Sequence, residues 1–417
     1  MASILFLTHK FPDPRDSGII SEYYFIRGLK KRGYEVYLFS ISSSNNERLE
    51  ELSSYCDEIK IVRDFSLYIR ILLILHPKNL LHHIRIKYPI TLLDIYYHPQ
   101  IERELNEFIK KKDIDIIFAA RPMAIYALSF KNTSKIIHPY DAVSEWHKQV
   151  SNVSRNIILK ILYSFTSYLT QKYEKTIYSK FDKVLVVTEV DKKLLKQLVP
   201  ELKVDVLPNG VDTNYFNPNN DASANEDNPS IVFVSSMSGE PTVSNVLWFY
   251  NNIFQKIKRK FPCIKLYLVG RDPTPEVRKL EKDTNVIVTG TVDDIRPYVH
   301  NASIVVIPMI AGTGIKNKTL EALAMGKPVV TTSIGASGID GKNGQDFLIV
   351  DNPNEFAEQV IELLNDKSLR RKIGANASKL IEEKYSWERI TERLDQILKE
   401  LVRVNQNDIT RWKIFNV

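Results

Sequence analysis

Residues 3–8, SILFLT, form a short apolar run bounded by turn residues, as in a strand buried on both faces. A proline- and glycine-bearing loop follows, HKFPDPRDSG, and then IISEYYFIRGLKKRG, apolar at Ile20, Tyr24, Ile26 and Leu29 and stopped near Gly33. Residues 35–42, EVYLFSIS, read as a second strand. Strand, amphipathic helix and strand within about forty residues force the two strands parallel, because only a crossover helix joins them. Few local patterns restrict a fold more.

The unit recurs. IDIIFAA, SKIIHPYD, DKVLVVTE and KVDVLPNGVD read as further strands, and residues 154–181 as one long helix or two, with a basic, tyrosine-rich face. Tyr163, Tyr168, Tyr173 and Tyr178 step by five, not a clean helical stripe, and read as partly buried packing. Residues 213–230, TNYFNPNNDASANEDNPS, are poor in aliphatic side chains and read as a linker. Strands then restart in SIVFVSSM, IKLYLVGRD, NVIVTGTV, ASIVVIPM and KPVVTTS, with helices such as KTLEALAMG and NEFAEQVIELLND between them. The expected fold class is therefore α/β, two Rossmann-like parallel-sheet domains whose strand ends face across a cleft. The domains are 1–212 and 231–387, and a length of 417 residues suits two of them. The amphipathic stretch at about 388–417, with Ile390, Leu394, Ile397, Leu401 and Val404 on one face, pads the second domain or crosses back onto the first.

A formal net charge of +7 favours anionic partners. No dense basic tract with interleaved aromatics points to nucleic acid. Cys56 and Cys263 are too far apart for a metal-ligand or disulfide pattern, which suits a reducing compartment. The first residues lack the pattern of a signal peptide, and no run of about 18 apolar residues suggests a spanning helix. Residues 67–93 come nearest, broken by Arg70, His76, Pro77 and Lys78. They read either as core-packed helices or as a basic apolar surface resting on a bilayer.

The chemistry concentrates in AGTGIKNKTLEALAMGKPVV, residues 311–330. Gly312 and Gly314 allow successive N–H groups to turn toward one point, and the turn feeds a helix amino end, where dipole and unpaired N–H groups favour an anion. Lys316 and Lys318 add formal charge. Glu321 would be repelled by a phosphate and makes sense gripping a neutral polyhydroxyl such as a ribose. The other reading of this cluster is a solvated helix start.

Several stretches in order resemble the retaining GT-B glycosyltransferases of family four: SKFDKVLVVTEVDKKLL, LPNGVDTNYFNP, VIVTGTVDDIRPYVHNASIVVIP, GTGIKNKTLEALAMGKPVVTT and RRKIGANASKLIEEKYSW. The resemblance implies a nucleotide diphosphate-sugar donor in the second domain and a saccharide or lipid-linked acceptor in the first. It also implies metal-independent chemistry with no cofactor, and a last helix that returns to the first domain. Of the family's glutamate pair, the second member falls on Glu321 and the first on Thr313, as in a subgroup with a Gly-x-Gly-x-Lys-x-Lys pattern. The family's basic clamp should lie in residues 233–246, which contain no Lys or Arg. The diphosphate charge then falls to Lys316, Lys318, Arg271 and the amides near Gly314 and Ile315. PDPRDSG matches the loop that approaches donor and acceptor, with Gly18 as its close-approach residue, and Thr291 and Val292 would flank the base. The family's histidine after the fourth strand is absent, Arg121 standing there, and His138 and Asp141 are the alternatives one strand later, Asp141 the better. Adjacent Asp293 and Asp294 point apart and do not suggest a metal.

The implied activity is transfer of a sugar to a hydroxyl in surface polysaccharide or glycolipid synthesis, in the cytoplasm or on the inner face of the cell membrane. The alternatives are a catalytically inactive sugar-binding or scaffold protein and a nucleotide-sugar 2-epimerase on the same architecture.

Overall fold

The computed structural model describes residues 2–16, 18–42, 49–63, 98–110, 112–131, 133–154, 156–218, 229–239 and 242–415. The stretch 67–93, and with it the expected bilayer contact, lies outside them.

The chain forms two compact units. The first holds residues 1–148, 162–207 and 390–417, and its sheet contains β1 (Ser3–Thr8), β2 (Glu35–Ser42), β3 (Glu58–Arg63), β4 (Ile116–Ala120), β5 (Ser134–Tyr140), β6 (Lys183–Val186) and β7 (Val204–Val206). Their order is β3-β2-β1-β4-β5-β6-β7, and every neighbouring pair is parallel. The βαβ pattern of the sequence dictates that outcome, and the wholly buried β1 and β4 sit at its centre. The chain reverses its winding between β1 and β4, the place where doubly wound sheets bind ligands beyond their carboxyl ends.

The second unit holds residues 149–161 and 208–389. Its sheet contains β8 (Ser230–Val234), β9 (Lys265–Val269), β10 (Val286–Gly290), β11 (Ile304–Ile307), β12 (Val329–Thr331) and β13 (Leu348–Ile349), in the order β10-β9-β8-β11-β12-β13 and again all parallel. Here the reversal lies between β8 and β11. Two strands were not anticipated. β3 mixes Glu58, Lys60 and Arg63 with aliphatic residues, as suits a charged edge strand, and β13 has only two residues.

The sharpest departures concern boundaries. The expected linker at 213–230 begins as packed structure in the second unit. Asp212 Oδ1 accepts from the amides of Asn214 and Tyr215, and the Arg296 guanidinium lies 3.8 Å from the Tyr215 ring centre. The NGVD stretch belongs there too: Val211 N donates to Tyr385 O at 2.8 Å, and Trp387 N donates back to Val211 O at 3.3 Å. A Cβ on Gly210 would come within 2.6 Å of the Trp387 ring, so the close approach requires glycine. The final helix, Trp387–Phe415, passes into the first unit at Ile390. There Thr391 packs on Gly28, and Tyr34 Oη donates to Asp395 at 2.8 Å.

Candidate functional site

Beyond the carboxyl end of β11, at the reversal point of the second sheet, the backbone makes the glycine turn expected from the sequence. Gly312 has φ +140° and Gly314 φ +68°, both in a region that side chains disfavour. The entrance to the turn is braced: Asn245 Oδ1 accepts from Ile310 N at 2.9 Å, and Thr332 Oγ1 donates to Met309 O at 2.6 Å. The Gly312 amide donates to the Gln149 side chain at 3.1 Å. Lys316 folds back over the turn, its Nζ donating to Thr313 O and, at 3.2 Å, to Gly314 O. A Cβ on Gly312 would lie 3.0 Å from that ammonium, so the positive charge sits directly against the glycine face.

The helix that follows, Asn317–Ala324, starts at Lys316 with no side-chain cap. Its amino end therefore keeps the positive character that draws anions. Asn209 of the NGVD stretch reaches it, Nδ2 donating to Asn317 Oδ1 at 2.9 Å. Lys318, the next residue, places its Nζ 2.9 Å and 3.3 Å from the two oxygens of Glu321, one turn on. Burial raises the Glu321 carboxyl above the usual carboxylate range, and Lys318 opposes the rise. The pair borders a small pocket with Val234, Ile295 and Ile307, at the ends of β8 and β11 and after β10. The sequence assigned Lys318 to an anion; in the structure its nearest charge is Glu321.

Arg271 follows β9. The carbonyl of Ser235 would lie 1.7 Å from a Cβ on Gly270, so the loop after β8 rests directly on that glycine. The Arg271 side chain is 71% exposed, 4.0 Å from Asp272. Thr291 is exposed and Val292 half-buried in the loop after β10. Asp294 pairs with Arg296 at 2.7 Å, not with Asp293. Among the described residues no group of three or more His, Cys, Asp or Glu is placed to hold a metal ion.

In the first unit, the loop after β1 carries Gly18, whose amide donates to Asp16 Oδ1 at 2.9 Å. A Cβ there would meet only Asp16 Oδ1, at 3.2 Å, so nothing within the loop itself requires glycine. His138 is 0% exposed, enclosed by Phe25, Phe118 and Tyr140. The expectation that it reaches a reacting sugar is corrected by that burial. Its Nδ1 lies 3.2 Å from Glu22 Oε1, and Tyr140 Oη donates to Glu22 Oε2 at 2.6 Å. Tyr140 takes φ +70°, and burial, then Glu22, holds its phenol well above the ordinary value.

Asp141 follows directly at the carboxyl end of β5 and is half-buried. Beneath it lies a buried carboxyl missed by the sequence reading. Glu174 accepts from Ser144 N at 3.1 Å and Ser144 Oγ at 2.5 Å, and burial pushes it up to about 7. Arg121 and the Ser144 bonds oppose that rise, and Asp141 adds to it. His147, pushed down to about 4 by burial and then Arg121, stacks on Tyr163. Glu174 and Glu22 lie in helices with no local sequence signal that marks a carboxyl as buried; their partners Ser144, His138 and Tyr140 come from other segments.

Comparison with known proteins bears on the family and the fold. Residues 22–215 match the family described as Glycosyltransferase Family 4, and residues 228–366 match Glycosyl transferases group 1. The chain belongs to the glycosyltransferases. An uncharacterised 44.6 kDa protein from the cps region of Klebsiella pneumoniae is 27% identical over 274 residues, which span 63% of this glycosyltransferase and 67% of that protein. The capsular polysaccharide biosynthesis glycosyltransferase CapM of Staphylococcus aureus is 30% identical over 159 residues, 35% of this chain and 42% of CapM. Among solved structures, Anabaena HepE, crystallised with UDP and glucose, superposes with TM-score 0.67 at 14% identity, covering 96% of this chain and 100% of that one. The likeness establishes the GT-B fold for the two parallel-sheet units.

Proposed function

We propose that this glycosyltransferase moves a sugar from a nucleotide diphosphate-sugar to a hydroxyl of a saccharide or lipid-linked acceptor, with retention, in surface polysaccharide or glycolipid synthesis. The observation that carries the reading is the uncapped helix start behind Gly312 and Gly314, with Lys316 against the glycine face and Glu321 one turn on. Such a start receives the diphosphate through backbone N–H groups, and Lys316 adds charge where the leaving oxygen becomes negative. Arg271, on its exposed loop, reaches the outer phosphate. Glu321 takes the ribose hydroxyls; Lys318 holds its carboxylate in place and is near enough to share the phosphate charge. Thr313, Gly314 and Ile315 line the diphosphate, while Thr291 and Val292 flank the base.

In this reading no protein base is needed: the departing phosphate accepts the acceptor proton as the new bond forms on the same face. Asp141 orients the acceptor, and Gly18 lets the loop after β1 come close to the sugar. The diphosphate charge falls to these side chains and amides without a resident metal. A relative named for capsular polysaccharide biosynthesis and a fold neighbour crystallised with UDP and glucose support the substrate class. The catalysis runs on the cytoplasmic side, and a peripheral contact through residues 67–93 belongs to the same proposal.

A panel of nucleoside diphosphates and their sugars, read by thermal shift and donor turnover, tests the reading. One base is expected to raise the melting point by mass action, and Glu321→Ala to abolish the rise. Lys318→Ala is expected to slow turnover about a hundredfold. A wild-type protein that binds a donor yet turns over none would favour the inactive sugar-binding reading, which the missing basic clamp at 233–246 supports.

A further inference from the structure

The helix Ile157–Tyr173 is built inside out. Its buried residues are Thr166, Ser167, Thr170 and Tyr173, three of them hydroxyl-bearing and small. Ser167 Oγ is spent on Ser144 O at 2.8 Å, and Thr166 Oγ1 on Leu162 O at 2.9 Å. The opposite stripe carries Ile158 at 73% exposed, Ile161 at 64%, Leu162 at 45%, Phe165 at 57% and Tyr168 at 53%, with Ile157 beside it at 67%. The spacing i, i+3, i+4, i+7, i+10 is the apolar seam of an amphipathic helix, here pointed away from the protein. Single exposed aliphatic residues are ordinary, but a contiguous seam on a helix of about 25 Å marks an interaction surface.

The charge beside the seam selects the partner. Within Ile157–Tyr173 the charged residues are Lys160 and Lys172, with no acidic residue. Lys160 and Lys172 are exposed, and Lys172 Nζ lies 4.5 Å from the Tyr168 ring centre, at the end of the seam. Long basic side chains and a tyrosine flanking an apolar seam suit the boundary between acyl chains and anionic headgroups. A second copy of the chain is disfavoured, since a two-fold interface would bring this basic rim against itself. No helix among the described residues is long and apolar enough to cross a membrane, so the seam would lie in the membrane plane.

We propose that the exposed face of Ile157–Tyr173 is a docking surface for an anionic lipid bilayer, into which Ile158, Ile161 and Phe165 insert while Lys160 and Lys172 meet the headgroups. The proposal uses none of residues 67–93 and requires nothing of the donor assignment, because docking is read without any donor.

The test is flotation of the full chain with vesicles of phosphatidylglycerol and phosphatidylcholine, and with phosphatidylcholine alone, at low ionic strength. Wild type is expected to float with the anionic vesicles only. The double variant Ile158→Glu/Ile161→Glu should lose about tenfold in bound fraction at equal lipid. Val190→Glu, at another exposed aliphatic position, on the helix Glu189–Leu198, should float as wild type does. Each substituted side chain is exposed, so an unchanged melting point will separate lost docking from lost folding. Wild type left at the bottom with anionic vesicles, or a double variant that floats undiminished, would overturn the proposal. So would sedimentation showing a wild-type dimer that the double variant dissolves, since a second copy would then cover the seam.

Discussion

At the scale of single residues, the glycine turn after β11 offers the most direct check on the proposed donor site. Alanine at Gly312 must take φ +140° and places a Cβ 3.0 Å from Lys316 Nζ. Gly312→Ala is therefore expected to cost about 1–3 kcal/mol of stability from backbone strain. It should also displace the ammonium and weaken donor binding, whereas Gly344→Ala pays only for its φ of +79° in open space. Thermal melts and donor titration of both variants separate strain from site geometry. The sequence exposed this turn because glycines, lysines and a helix start are local features. It did not expose Asn245, Asn209 or Thr332, which brace the turn and its helix from distant segments.

Among elements, the closing helix shows how one glycine admits a whole segment. A Cβ on Gly28 would lie 2.4–2.8 Å from three atoms of the Thr391 side chain. Gly28→Ala is expected to cost about 1–3 kcal/mol by overpacking. Thr391→Ala, which removes Cγ2 and Oγ1, should return part of that loss, so the pair will be non-additive in a denaturation double-mutant cycle. The heptad-like seam of this helix was readable from Ile390, Leu394, Ile397 and Leu401, all of them buried. The tyrosines at 163, 168, 173 and 178 were read as one partly buried set, and the structure divides them: Tyr173 and Tyr178 are core, while Tyr168 is exposed.

For the molecule as a whole, the buried titratable groups set how stability follows pH. Glu174 in the folded chain titrates near 7, above its ordinary 4.5. The fold thus holds more protons than the unfolded chain between those values, and this group's contribution is full below 4.5 and lost as pH rises through 7. His147 acts oppositely: its folded value is depressed to about 4, so its contribution is full above 6.5 and lost as pH falls toward 4. Glu174→Gln, which keeps a side-chain acceptor for Ser144, should gain stability over wild type at pH 8, by up to about 3 kcal/mol, and none below pH 4.5. Melting points across pH 4 to 8.5 check this; a gain that is constant with pH would show that Glu174 ionises normally.

The sequence alone determined the parallel sheets, most of their strands, the glycine turn after β11 and the placing of Lys316, Lys318 and Glu321 beside it, because periodicity and glycine placement act within a few residues of each other. Tertiary structure alone decided which polar groups lost water. Glu22 and His138 came together from segments over a hundred residues apart, and Glu174 found Ser144. It likewise decided that Ile157–Tyr173 shows its aliphatic stripe outward. A helical pattern fixes which residues share a face, but only the neighbouring elements settle which face is covered.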